Sequence, residues 1–69
     1  MIEVFKTNVQ TEKQSKILLP ILGKTFPSFR INFDLDDCDK ILRVQGDNIS
    51  SDQIVEMLNA EGFHCHILV

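Results

Sequence analysis

Residues 49–62 read Ile49-Ser50-Ser51-Asp52-Gln53-Ile54-Val55-Glu56-Met57-Leu58-Asn59-Ala60-Glu61-Gly62, and Phe63-His64-Cys65-His66-Ile67-Leu68-Val69 follows. The first part is a helix marked at both ends. Ser50 is placed to accept from the amide of Gln53, Gln53 to reach back to Ser50, and Ile49 to pack on Ile54. Ile54, Val55 and Leu58 supply the buried side, with Met57 at its margin. Gly62 stops the helix where a left-handed residue is wanted. The tail alternates as a strand does, with Phe63, Cys65, Ile67 and Val69 on one side and His64 and His66 on the other.

Upstream, Phe29, Ile31, Phe33 and Leu35 alternate with Arg30, Asn32 and Asp34, which predicts a half-buried strand. Asp36-Asp37-Cys38-Asp39 is a polar turn, and residues 40–45 return as a second strand with Leu42 and Val44 inward. Thr11 starts an earlier helix, with Gln14 three positions on as a second capping box. Ile17, Leu18, Ile21 and Leu22 form its apolar side. Pro20 inside it predicts a kink, and Gly23 and Pro27 bracket its exit. Residues 2–9 supply the first strand, with Ile2 and Val4 inward, which turns Phe5 outward unless the strand bulges. The order is βαββαβ. Right-handed crossovers then place both helices on one face of a four-stranded antiparallel sheet. The expected fold is an α+β, ferredoxin-like sandwich spanning residues 1–69 as a single domain.

A chain of 69 residues buries only about 60% of the surface its unfolded form exposes, which leaves little room for a bulky internal cofactor. A net charge of −3 argues against binding a nucleic-acid backbone, which needs clustered Lys and Arg. The five aromatics are all Phe, and no aromatic–basic RNA-recognition motif is present. Met1-Ile2-Glu3-Val4-Phe5-Lys6 lacks the basic-then-apolar order of a signal peptide. No apolar run approaches the roughly 20 residues that span a membrane. Two cysteines without a secretory context point to free thiols in the cytoplasm.

Pro27-Ser28-Phe29 followed by Ile31-Asn32-Phe33-Asp34-Leu35, and Ile54-Val55-Glu56-Met57-Leu58 followed by Glu61-Gly62-Phe63, resemble the heavy-metal-associated domain family. Its members are small copper-chaperone-like modules, also found at the N-termini of metal-pumping ATPases. The resemblance covers essentially the whole chain and implies the same fold. Ser28 stands where the family has a glycine. The family's Cys-x-x-Cys, between the first strand and first helix, holds a soft ion such as Cu(I) on two thiolates. Here those positions fall on Thr11 and Gln14 or, one residue earlier, on Gln10 and Lys13, and neither pair contains sulfur. The resemblance therefore carries the fold and leaves the metal role behind.

Other chemistry-bearing groups are few. His64 and His66, two apart on a strand, share a face and are the candidate metal ligands, although two imidazoles half-fill a tetrahedral site. The plainer reading is a pair of surface histidines. Cys38 lies between Asp37 and Asp39, whose charges oppose thiolate formation, and reads as a solvated turn cysteine. Asp34, Asp36, Asp37 and Asp39 lack the spacing, glycine and terminal glutamate of a calcium loop. Phe29, Phe33 and Phe63 read as core. Gly23, Gly46 and Gly62 are isolated, so no phosphate loop forms, and no Ser–His–Asp arrangement stands out. No catalytic residue and no cofactor are expected. The leading expectation is a non-catalytic interaction module that has lost the family's metal site and meets another protein, or itself, through its open sheet face or edge strands. The alternative is a metal-binding protein with a relocated site at His64 and His66. A thiol enzyme working through Cys38 stands third.

Overall fold

The computed structural model of the protein describes residues 1–68. Its elements run β1 (Ile2–Thr7), α1 (Glu12–Thr25), β2 (Arg30–Asp34), β3 (Ile41–Gln45), α2 (Ser51–Ala60) and β4 (Cys65–Ile67). The strands form one antiparallel sheet in the order β2-β3-β1-β4. This α+β architecture is compatible with a ferredoxin-like sandwich.

Residues directly opposite one another share a face, so the register sorts the sheet. Phe5 lies opposite Leu42 and Ile67, Thr7 opposite Cys65, Ile31 opposite Val44, and Phe33 opposite Leu42. That first face is the buried one. Phe5, Leu42, Val44 and Cys65 gather with Leu18 and Leu22 of α1 and Ile54 and Leu58 of α2 in a single cluster. Each large side chain covered there contributes roughly 1.5–3 kcal/mol. The second face carries Val4 opposite Arg43, and Lys6 opposite both Ile41 and His66.

Three expectations are corrected here. Phe5 is fully buried while Ile2 is 57% exposed, and pairing from Ile2–Gln45 to Lys6–Ile41 is continuous, without a bulge. The inward frame is Phe5, Thr7 and then Val9, all buried. It covers a ring and a valine near the centre of the molecule, where Ile2 and Val4 would cover two smaller groups near its margin. In α1, Ile17 is 58% exposed and the buried stripe is Ser15, Leu18 and Leu22. Ser15 is tolerated inside because its hydroxyl donates to the Glu12 carbonyl at 2.7 Å. The stripe turns Pro20 outward, so the lost hydrogen bond of its ring nitrogen faces water, and the helix continues through it to Thr25. Gly23 therefore lies inside α1 and does not end it. The expected inward position of Val69 lies outside the described residues.

Both helix starts are capped, unequally. At α1 the Gln14 amide donates to Thr11 Oγ1 at 3.1 Å, and Gln14 Oε1 accepts from the amides of Gln10 and Thr11 at 2.9 and 3.2 Å. At α2 the Gln53 amide donates to Ser50 Oγ at 3.4 Å, without the reciprocal bond expected of Gln53. The end of α2 is as read: Gly62 adopts φ +90°, its amide donates to Asn59, and the Phe63 amide reaches back to the Leu58 carbonyl at 2.9 Å. This is the paired closure of a Schellman motif.

Gly23, inside α1, and Gly62, just past α2, are expected to respond oppositely to alanine. Apart from its chain neighbours and the adjacent helix backbone, no described atom would lie within 4 Å of a Cβ at Gly23. Gly23→Ala should therefore stabilise the fold by about 0.5–1 kcal/mol through the unfolded chain and the helix interior. Gly62→Ala forces a side chain into left-handed backbone and should cost about 1–2 kcal/mol. Urea midpoints of the two variants measure both; a shift of the same sign in each would contradict the assigned helix ends.

Candidate functional site

β1 and β2 end, and β3 and β4 begin, at the same end of the sheet. Loop 8–11, turn 35–40 and link 61–64 therefore meet there. Thr7 fastens the first two. Its hydroxyl donates to the Lys40 carbonyl at 2.6 Å and accepts from the Val9 amide at 3.2 Å, while its own amide donates to the Asp39 carbonyl. Lys40 takes a left-handed backbone (φ +49°), and its Nζ donates to the Leu35 carbonyl at 2.9 Å. Asn8 fastens the third segment, because its Oδ1 accepts from the His64 amide at 2.8 Å. Val9, expected at the end of a strand, instead drops from the loop into the core at 0% exposure.

Thr11 and Gln14, the positions that the family resemblance aligns with two thiolates, are occupied with each other. Thr11 is the N-cap and Gln14 the third helical residue, and together they complete the capping box of α1. Their oxygens already accept the free amides at the helix start. A residue pair spaced by three at a helix start serves a hydroxyl and an amide as well as it serves two sulfurs. Lys13 is exposed, as is Gln10.

His64 and His66 do come together. With Lys6, Thr7, Asn8 and Leu68 they line a groove of about 370 Å³ on the second face of the sheet. Both are exposed, His64 just before β4 and His66 within it. Lys6, opposite His66, also lies 3.7 Å from Asp39, an exposed ion pair of small energetic weight. Sequence alternation found the histidines but not Lys6 and Asn8, which reach the groove only through strand pairing and the loop hydrogen bond.

The acidic residues fall into two groups. Asp34, opposite Ile41 on β2, lines a second groove together with Asp36, Lys16 and Leu19. Asp37, Cys38 and Asp39 bring their ligand atoms within 4.8 Å of one another. Asp37 already serves the turn there: its Oδ1 accepts from the Asp39 amide at 2.9 Å and its carbonyl from Lys40. Cys38 is exposed and Cys65 buried, both as free thiols. Phe29 and Phe33 pack against the core, as does Phe63. No helix among the described residues is long and apolar enough to cross a membrane. No family model, curated protein or solved structure matches this chain.

The two thiols should behave as different chemical species. Burial pushes the Cys65 thiol up from 9.0 to about 11, so the folded state keeps a proton that the unfolded state gives up. Stability from this group is intact below pH 9 and is lost as pH rises towards 11, by about 1.4 kcal/mol per pH unit within that window. Subtracting the curve of Cys65→Ala from that of the wild type isolates the slope, and identical curves would contradict it. Under native conditions a thiol reagent should label Cys38 at once and Cys65 only on unfolding.

Proposed function

We propose that this chain is a non-catalytic interaction module. It is read as a ferredoxin-like sandwich with both helices on one face, a divergent relative of heavy-metal-associated domains without their thiol pair. Its open sheet face meets a partner protein. The observation that carries the reading is the make-up of that face. Ile2 is 57% and Leu68 40% exposed, and the Leu68 amide bonds to the Val4 carbonyl, which places Leu68 beside Val4. Around these apolar groups stand Lys6, Arg30 and Arg43, against Asp34 and, 3.7 Å from Lys6, Asp39. A face with three cations against two anions, on a chain of net charge −3, is complementary to an acidic protein surface with an apolar centre. A cytoplasmic setting suits two free thiols.

The test compares wild type, Val4→Asp and Arg43→Glu as bait in cross-linked cytosolic extract. Both substitutions leave the buried cluster untouched, so circular dichroism and melting should stay native. The reading expects proteins retained by the wild type and lost from both variants. Equal retention by all three, or none by the wild type, would overturn it.

A second reading has its own observation, the groove shared by His64 and His66. On that reading the two imidazoles are first ligands for Zn(II) or Cu(II), and a partner chain completes the shell. Saturable Zn(II) binding that His64→Ala with His66→Ala abolishes would favour it over the interaction module. Binding unchanged in that double variant would exclude it.

A further inference from the structure

We propose that β2 is a self-complementary edge, through which two copies of this chain pair antiparallel about Asn32 into one continuous sheet. The inference concerns the rim of the sheet and does not depend on the open-face reading. β2 is the outermost strand next to β3, and its outer side pairs with no strand among the described residues. An edge strand presents a row of unpaired N–H and C=O groups to any suitable strand. Arg30-Ile31-Asn32-Phe33-Asp34 holds no proline, glycine or lysine, and its two charges, one at each end, are of opposite sign. The opposite edge, β4, is only three residues long.

Only alternate residues of an edge strand turn their backbone groups outward. An antiparallel partner must therefore match residues of the same parity, which also share a face. A two-fold axis at Asn32 sets Arg30 opposite Asp34 of the other copy and, by symmetry, Asp34 opposite its Arg30. Ile31 then meets Phe33, and Phe29 meets Leu35, each twice. The two Asn32 amides face each other. Every pair is matched in kind: charge with opposite charge, apolar with apolar, amide with amide. Moving the axis to Ile31 sets Arg30 against Asn32 and Asp34 against Ser28. Moving it to Phe33 sets Arg30 against Asp36, which lies beyond the strand.

Burial points the same way. Leu42 and Val44 of β3, on the inner side of β2, are fully covered. Phe29, Ile31, Phe33 and Leu35 are each left half-buried at the rim, and Arg30 and Asn32 are exposed. A second β2 would cover the four apolar side chains and join the two sheets with both pairs of helices on the same side.

Sedimentation equilibrium up to the concentrations used for NMR tests this with charge changes. The wild type should show a reversible monomer–dimer equilibrium. Arg30→Asp sets carboxylates opposite the Asp34 of each copy, and Asp34→Arg sets guanidiniums opposite each Arg30. Either alone should weaken dimerisation about tenfold or more. An equimolar mixture of the two should restore it, because every cross-strand pair is again opposite in charge. Should one single variant fail to fold by circular dichroism, Arg30→Asp combined with Asp34→Arg in one chain is the second variant, and it should dimerise like the wild type. A monomer at every concentration overturns the proposal, as does a dimer indifferent to both charge changes. A dimer lost in Val4→Asp but kept in the charge variants would move the self-contact to the open face, and would overturn the β2 register while leaving the open-face reading intact.

Discussion

The hydroxyl of Thr7 is the small group on which this end of the molecule depends. It satisfies a carbonyl at Lys40 and an amide at Val9, groups 33 and two residues away along the chain. The Val9 amide is buried and the Lys40 carbonyl partly so, and leaving a buried group unpaired costs about 1–3 kcal/mol. Because the Val9 amide is held, the chain after β1 can turn its valine into the core before the Thr11 cap opens α1. Because the Lys40 carbonyl is held, the turn between β2 and β3 can close through a left-handed residue. The same few atoms thus set the depth of the first loop, the shape of the hairpin and the start of the first helix.

That closure has a consequence for function. Val9 and the Thr11–Gln14 box turn the first loop into a structural plug, and the polar oxygens at the helix start are committed to backbone amides. The surfaces that remain uncommitted lie elsewhere, on the second face of the sheet and along its β2 rim. In so small a core, stability is only a few kcal/mol above zero. Apolar groups left uncovered, such as Ile2, Leu68 and the half-buried row along β2, therefore bear more directly on association than on folding.

Much of this was legible from the residues, and the failures share a cause. The helix ends at Thr11, Ser50 and Gly62 were readable because caps are local chemistry. The strands β2 and β3 were readable because strict alternation admits one frame. β1 was misread because Ile2, Val4 and Phe5 are all apolar, so period alone could not choose the frame; the alternation of Phe5, Thr7 and Val9 was present, but a threonine hid it. Ile17 and Leu18 posed the same ambiguity in α1, and the outcome depended on turning Pro20 to water. Ile41 could not have been singled out, since its burial on the second face comes from its neighbours in other strands. The groove around His64 and His66 was half visible: alternation paired the histidines, and only the sheet order brought Lys6 and Asn8 to them.

The claim that the first loop is a closed structural element is tested most directly by titrating the reduced protein with Cu(I) while following its amide NMR spectrum residue by residue. The account predicts that the amides of Gln10, Thr11 and Gln14 do not shift in a saturable, stoichiometric way, since their hydrogen bonds are already satisfied within the capping box. Saturable shifts centred on those amides would contradict it, and would mean that the loop opens to bind the ion in spite of having no sulfur.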